Sequence, residues 1–447
     1  MISWIITISL VCIITSVIFY RPYLGVVFVI VSIPFEGVIN FSYISRALER
    51  VTGIGYETIY YLEDITIYPL EAILAVSVLV CIYKSILGRD NCFRNMKLVY
   101  CYIPFVLCIM LSAIKSIELS LTVKEIVRWL ELIVIYYLTI NLINDDKKMR
   151  VVLYSMFLTM AMVSVFGIIN INYDYDGYRA ISFFRNPNPL AGYANLIIPV
   201  SFCMLMTSVY LWERITLGIF TVLSIITWIF TLSRSAWFSL IVTMILLFSL
   251  AKVKKKRVVL LLAVFLAISA ILLLSSNIYK SEFMKTTTLN EVKVSLEPRA
   301  LCYQVGLNMV KDDLILGIGI GNYPSLIKKY AKVYELTHYL QAYDLIYHHL
   351  HNLYLQVFVV TGIMGLSAFI FWLACIVRYL MSSLKSLENS RHYWLFVGLM
   401  GGVIVYLFNN LADVLTVHGI HLQWGIILGL AVVLIQFRES ETCLKKV

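Results

Sequence analysis

Long apolar runs separated by short polar segments dominate the pattern of the chain. Runs of about 18 or more apolar residues recur along the sequence, and each is long enough to cross a hydrocarbon core of roughly 30 Å as an α-helix. The strict apolar–polar alternation that a transmembrane barrel requires is absent from the sequence. Because only helices and closed barrels span lipid, the pattern predicts an all-α polytopic membrane protein.

The positions of the apolar runs predict a bundle of about 12–13 transmembrane helices in a single membrane domain covering residues 1–447. The second span is the least regular, because Pro34 and Glu36 shorten its apolar part. One long extracytoplasmic loop, 276–350, is expected between the tenth and eleventh spans. The predicted spans cover residues 2–20, 23–38, 68–84, 98–114, 128–144, 150–169, 190–209, 215–232, 236–251, 258–275, 353–380, 393–410 and 420–437.

Composition and charge agree with this class and fix an orientation. Apolar residues make up 61% of the chain and charged residues 14%, which excludes a soluble domain. Basic residues cluster in short connections such as KVKKKR at 252–257, and such connections stay in the cytoplasm. Alternation then places the connections 39–67, 115–127, 170–189 and 276–350 outside. The net charge of +10 therefore indicates topology and contact with lipid headgroups, and nucleic acid is not an expected partner.

Arginines and asparagines are concentrated in the outer connection YDYDGYRAISFFRNPNPLAGY. Two prolines prevent a continuous helix there, so the chain must turn before it returns to the membrane. One interpretation is a capped turn with a purely structural role. The alternative is that Arg179, Arg185 and Asn188 face a polar cavity at the membrane surface.

Two further arginines lie close to predicted spans. Arg234, in TLSRSAWFSL, stands between two hydrophobic segments, where a guanidinium must snorkel or bind an anion. Arg299 begins a stretch of the long loop with helical periodicity, and helices are expected near 298–311 and 323–334. The glycines of GIGIGNYP, at 317, 319 and 321, lack the context of a dinucleotide motif, and a compact turn before Asn322 is expected there.

The stretch HHLHNLYLQVFVVTGIMG places three histidines directly before a long apolar run. Histidine is costly in lipid and exchanges its proton near neutral pH, so the cluster indicates chemistry. His348 and His349 are interpreted as interface residues, as are His418 and His421. No pair of histidines has the H-x3-H spacing of a helical zinc site, and no metal is predicted.

Taken together, RNPNPLAGY, TLSRSAW, PRALCYQVGL, GIGIGNYP and HNLYLQVFVVTGIMG occur in an order that resembles the O-antigen ligase and O-antigen polymerase superfamily of bacterial membrane glycosyltransferases. The most specific part is a histidine followed by asparagine, nine residues, and Gly-x-x-Gly. His351, Asn352, Gly362 and Gly365 match this frame without a gap. The resemblance covers roughly residues 150–370, which is therefore the expected core of the domain.

The resemblance implies a metal-independent, inverting glycan transfer on the outer face of the bacterial cytoplasmic membrane, with no cofactor. The donor would be a saccharide on undecaprenyl pyrophosphate, and the acceptor a glycan or a lipid-linked glycan. The carried-over roles place Arg234 and Arg299 at the pyrophosphate and His351 at the reacting hydroxyl. Secondary substrate-binding roles are assigned to Arg185, Asn188, Asn352 and Arg179.

Three functions remain open at this point. A polymerase of surface polysaccharide, such as O-antigen, capsule or exopolysaccharide, is favoured, and a ligase that joins the chain to a lipid core is the alternative. Other polysaccharide-assembly proteins are expected partners of either enzyme. A flippase or transporter of lipid-linked glycans would instead carry charged or helix-breaking residues near the bilayer midplane and show repeated halves. Neither feature is visible in the sequence.

Overall fold

The computed structural model describes residues 2–36, 69–87, 97–169, 179–184, 186–251, 289–333 and 349–444, and every regular element in these ranges is helical. The α-helices of the described ranges are α1 (Ile2–Tyr20), α2 (Tyr23–Ser32), α3 (Pro69–Ile86), α4 (Lys97–Ser112), α5 (Leu119–Leu142), α6 (Asp146–Ile169), α7 (Pro187–Thr207), α8 (Leu211–Phe230), α9 (Arg234–Leu250), α10 (Leu289–Lys311), α11 (Tyr323–Val333), α12 (Leu353–Ser386), α13 (Tyr393–Asn409) and α14 (Ile420–Leu444).

Most of these helices begin and end within a few residues of a predicted span. The largest difference is at α5, which begins at Leu119 although the span was predicted from residue 128. This segment has the composition of a loop because it contains Lys124, Glu125 and Arg128, but in the structure it is the first part of the helix. The tenth predicted span, 258–275, lies outside the described residues.

Six helical segments of the described chain are long and apolar enough to cross a membrane. Four shorter apolar helices accompany them. The protein is therefore a multi-pass membrane protein. The six segments are Leu98–Lys115, Asp146–Ile169, Pro187–Thr207, Leu211–Phe230, Leu353–Ser386 and Ile420–Ser440.

The core of the bundle forms where α7, α13 and α14 meet. Small residues let α13 approach α7 closely, as is common between helices in lipid. A Cβ atom on Gly398 would lie 2.9 Å from the Pro199 carbonyl oxygen, and one on Gly402 would lie 2.8 Å from the Leu196 carbonyl oxygen. The membrane-crossing part of α14 is almost completely buried between α13 and α5.

The connections of the described chain gather at two ends of the bundle. At one end, which we call the basic end, Arg150 pairs with Glu213 at 3.1 Å and Arg391 pairs with Asp146. The other end, which we call the long-loop end, consists of residues 113–122, 179–184, 186, 231–234, 312–322, 349–353 and 410–419. The described parts of the connections 115–127, 170–189 and 276–350, all predicted to lie outside, are therefore grouped at one end, and the described basic connections at the other. The predicted outer connection 39–67 and the basic segment 252–257 lie outside the described residues.

The helix α12 is interrupted at Gly362, whose φ of 66° and ψ of −167° are not helical. A segment of the long loop, 314–319, occupies the break. Its Ile318 N–H donates to the Val359 carbonyl at 2.9 Å, and its Leu314 carbonyl accepts from the Ile363 N–H at 2.9 Å. The backbone groups that lose helical partners are thus satisfied by the loop, as an apolar environment requires.

The glycines at 317, 319 and 321 all have positive φ, so the expected compact turn is confirmed. The Asn322 side chain closes this turn, because its amide donates to the Lys115 and Ile318 carbonyls. The interruption at Gly362 was not predicted. Sequence reasoning found no helix break inside a span because a glycine alone is compatible with an unbroken helix, and only the docked loop requires the break.

We expect Gly362→Ala to destabilise the protein by at least about 1–3 kcal/mol, because the new Cβ would meet the Ile315 carbonyl oxygen at 2.1 Å in a backbone conformation that alanine disfavours. Thermal unfolding in detergent, followed by size-exclusion chromatography, measures this loss. The matched control is Gly218→Ala, whose Cβ would come no closer than 4.0 Å to the Leu205 side chain. Equal thermal stability of Gly362→Ala and Gly218→Ala would show that docking of the segment 314–319 does not require the non-helical conformation of Gly362.

Candidate active site

His351 lies at the long-loop end, directly before α12, and its own backbone has a positive φ of 51°. Asn352 caps the helix, because its side-chain oxygen accepts from the Leu355 N–H at 2.9 Å. Its amide also donates to the Leu411 carbonyl at 2.8 Å. The Leu353 N–H lies 2.9 Å from the Asn410 carbonyl oxygen. The expected capping role of Asn352 is thus seen, and the start of α12 is tied to the connection 410–419.

An aspartate from that connection lies beside His351. The His351 Nδ1 is 3.7 Å from an Asp413 carboxylate oxygen, and the His349 Nε2 is 4.0 Å from the same oxygen. The two imidazole rings are 4.7 Å apart, centroid to centroid. Asp413 is 7% exposed and His351 18% exposed, so the group is shielded from bulk water.

Burial of Asp413 raises its pKa, but the neighbouring His351 and His349 rings and the Val414 N–H outweigh this effect, so the pKa of the carboxyl lies below its usual range. The carboxylate therefore stays ionised at neutral pH. A carboxylate beside Nδ1 favours the tautomer that carries its proton there. The Nε2 of His351 is then the nitrogen able to accept a proton from a substrate.

Arg299 lies on α10, a helix that packs against α12. Tyr303, one turn further along the helix, donates its hydroxyl to the His351 carbonyl at 3.1 Å. Burial raises the pKa of Tyr303, while the positive charge of Arg299 opposes that rise. The structure therefore brings α10, the start of α12 and Asp413 together.

Arg179 and Asn188 meet a different part of the long-loop end. The Arg179 Nε donates to the Thr231 carbonyl at 2.7 Å, and its Nη2 lies 3.3 Å from the Asn188 side-chain oxygen. Asn186 caps α7 by accepting from the Asn188 N–H at 2.9 Å. These contacts match the capped-turn interpretation, with Arg179 bracing the turn against the end of α8. Arg185 lies outside the described residues.

Arg234 is the first residue of α9 and is exposed at the same end of the bundle. Its helix is held by Ser239, which donates to the Asn409 side chain at 3.1 Å. Asn409 directly precedes Asn410, the residue that anchors the start of α12. These contacts place Arg234 at the end of the bundle that carries His351, and a shared pocket with Arg299 and His351 stays a prediction.

Sequence reasoning missed Asp413, Tyr303 and the part played by His349. Asp413 is an acidic residue in a short outer connection with the sequence LADVLTVHG, and an acid between two apolar spans was the available signal. Tyr303 carried no signal beyond its helical spacing from Arg299. His349, interpreted as an interface residue, is instead half-buried in the group around Asp413.

A second set of ionisable groups lies further inside the bundle. His421 is 3% exposed, and its Nε2 is 3.6 Å from a Glu131 carboxylate oxygen. Arg128, one turn before Glu131, pairs with Glu125. The interpretation of His421 as an interface residue is therefore wrong. Charged or helix-breaking residues inside the bundle are typical of a transporter, and their apparent absence from the sequence argued against one. This set and the break at Gly362 are features of that kind.

Residues 219–370, about a third of the chain, match a family model described as O-antigen ligase. The resemblance to the O-antigen ligase and polymerase superfamily is confirmed over this segment. The matched residues include Arg234, Arg299, His351 and Gly362, whereas Asp413 lies beyond them. The match supports a membrane enzyme of O-antigen assembly. No curated protein matches the chain significantly.

His349, His351 and Asp413 each offer a ligand atom, and the three atoms lie within 4.8 Å of one another. Three protein ligands are the number found in catalytic zinc sites. The prediction of no metal rested on histidine spacing and on the family resemblance, and it did not include an aspartate from a distant connection.

We nevertheless expect the purified protein to bind no stoichiometric zinc, because the resemblance to the O-antigen ligase superfamily implies a metal-independent enzyme. Elemental analysis after incubation with zinc and gel filtration measures the metal content, with the Asp413→Asn variant as the control for adventitious binding. One zinc per wild-type chain and none in Asp413→Asn would show that the three side chains form a metal site.

Proposed function

We propose that the protein is a membrane glycosyltransferase that moves a saccharide from undecaprenyl pyrophosphate to a glycan acceptor during assembly of a surface polysaccharide. The observation that carries the proposal is the contact of Tyr303 and Asp413 with His351, in a chain whose residues 219–370 match the O-antigen ligase family. A polymerase is the first candidate. A ligase that joins the chain to a lipid core is the second, favoured by the description of the matching family.

In the proposed reaction a hydroxyl of the acceptor attacks the anomeric carbon of the donor sugar. The bond between that carbon and the pyrophosphate oxygen breaks on the opposite face, so the configuration inverts. The Nε2 of His351 takes the hydroxyl proton, and Asp413 orients the ring and stabilises the imidazolium. A positioned base of this kind contributes typically about 100 to 10,000-fold to a rate.

Arg234 and Arg299 are proposed to hold the pyrophosphate. Negative charge grows on this leaving group as the glycosidic bond breaks, and fixed guanidinium groups in a poorly hydrated site stabilise it. Arginine suits the task because its planar fork donates two hydrogen bonds and keeps its charge. The roles of Asn352 and Arg179 in the site are positional, since both hold backbone carbonyls of neighbouring connections. The proposal needs no metal or cofactor.

The proposed topology has about 12–13 spans in the bacterial cytoplasmic membrane, with residues 150–370 as the enzyme core and the long loop after the tenth span. The site faces outward in this arrangement. The support is the separation of the two ends of the bundle, because Lys147, Lys148 and Arg150 lie at the end opposite His351.

We expect deletion of the gene to leave single repeat units in the cell's glycans if the protein is a polymerase, and full-length chains on the carrier lipid if it is a ligase. Complementation with His351→Ala restores no product, because the base is lost, and Arg234→Lys restores little, because a point charge replaces the fork. Gel electrophoresis of the glycans and immunoblotting of the membranes give both readouts. Lys148→Gln, at the basic end, is the control and restores the wild-type pattern.

Normal product from both His351→Ala and Arg234→Lys would remove the proposed roles of these residues. A transporter would give a different result in the same cells. Deletion would then leave lipid-linked units on the cytoplasmic face, where glycan-modifying enzymes added from outside cannot reach them.

For Asp413→Asn we expect a kcat about 100-fold lower with an unchanged KM for the donor, since the aspartate acts on the ring rather than on the substrate. Initial rates with purified enzyme and lipid-linked donor give both constants. Asn keeps the size and one acceptor oxygen, so a comparable thermal stability of variant and wild type separates this effect from misfolding. An unchanged kcat would exclude Asp413 from the reaction.

A further inference from the structure

A cavity of about 270 Å³ opens beside His349, between α5 and the start of α12. The first residues of α11 and part of the connection 410–419 complete its wall. The lining residues include Glu125, Arg128, Trp129, Tyr323, His349 and Val417.

The wall of this cavity combines several kinds of polar group with aromatic surface. Lys124, Glu125 and Arg128 contribute charges from three positions of α5, and Gln356 contributes an amide from the second turn of α12. Trp129 lies next to Arg128 and is also part of the wall. Charged groups exclude an acyl chain as the natural occupant. A ring that carries several hydroxyls can use the donors, the carboxylate and the indole surface together.

The size of the cavity limits what fits. Small-molecule sites usually have volumes of about 300 to 1,000 Å³, and this cavity lies just below that range. It accommodates one or two sugar rings rather than a longer oligosaccharide.

The cavity lies close to the candidate base through His349. His349 lines it, and the His349 ring is 4.7 Å from the His351 ring, centroid to centroid. Tyr303 contacts His351 from α10, and neither Tyr303 nor Arg299 is among the lining residues. A ligand in the cavity would therefore contact His349, whose ring neighbours that of His351, and would leave Arg299 and Tyr303 uncovered.

We propose that this cavity binds the terminal sugar of the acceptor glycan and presents its hydroxyl to His351. The inference rests on the proposed function and adds the acceptor subsite to it. The paired Glu125 and Arg128 hydrogen-bond the sugar hydroxyls, while Trp129 and Tyr323 supply apolar wall. The α5 residues of this subsite lie outside the segment that matches the O-antigen ligase family, whereas Tyr323, His349 and Gln356 lie within it.

The test measures binding of a soluble acceptor to the full-length protein in lipid nanodiscs. The probe is the repeat-unit oligosaccharide released by mild acid from the lipid-linked units of the deletion strain. Its Kd is measured calorimetrically in the His351→Ala background, where no transfer takes place. We expect Val417→Phe, which fills the cavity, and Glu125→Gln, which removes a charge, each to raise this Kd at least tenfold.

The control is Val123→Phe, the same change in size at a residue of α5 that is 45% exposed and does not line the cavity. It leaves the Kd unchanged. Binding of undecaprenyl pyrophosphate is measured in parallel and stays the same in every variant. Glu125→Gln keeps the test decisive if Val417→Phe fails to fold.

No binding of the oligosaccharide to the wild-type protein, an unchanged Kd in the folded variants, or an equal loss of undecaprenyl pyrophosphate binding would each overturn the acceptor subsite. Failure of the proposed function gives a separate result. In that case the oligosaccharide binds as expected, but the wild-type protein does not convert lipid-linked units into a longer glycan.

Discussion

The structure depends on the need to pair every backbone polar group that is removed from water. This requirement is severe for a membrane protein, because lipid offers no alternative partner. The chain interrupts its helices near the candidate site and satisfies each interruption with a loop from elsewhere. At Gly362 the partner is the segment 314–319, and before Leu353 it is the connection 410–413. The loops are therefore structural parts of the bundle.

This constraint explains the spacing of the motif around His351. Asn352 starts the helix, and nine helical residues later Gly362 ends its first part, which gives about 13 Å between the histidine and the docked loop. The start of the helix at Asn352 positions the His351 imidazole beside Asp413. The break at Gly362 fixes the long loop, which carries α10 and with it Arg299 and Tyr303. One short helical segment thus holds two sides of the site.

Much of the fold follows from the sequence because hydrophobic length is a strong signal in membrane proteins. The bounds of α1, α7 and α13 were predicted to within a few residues on this basis alone. The early start of α5 was missed because its charged residues face a cavity and the interior of the bundle, a placement that only tertiary packing reveals.

The candidate site was predictable only in part. His351 and the two arginines stand out because charged and ionisable residues are rare near apolar spans. Asp413 and Tyr303 carry no comparable signal, since an acid in a connection and a tyrosine on a helix are common. Their importance comes from contacts between segments that are distant in the chain. The break at Gly362 was hidden for the same reason.

In the proposed mechanism, helices from distant parts of the chain hold one lipid pyrophosphate at the long-loop end. Electron cryomicroscopy of the protein in nanodiscs with undecaprenyl pyrophosphate tests this arrangement. We expect density for the pyrophosphate in contact with the guanidinium groups of Arg234 and Arg299, with His351 adjacent. Density at the basic end, or at a site that excludes both arginines, would contradict it.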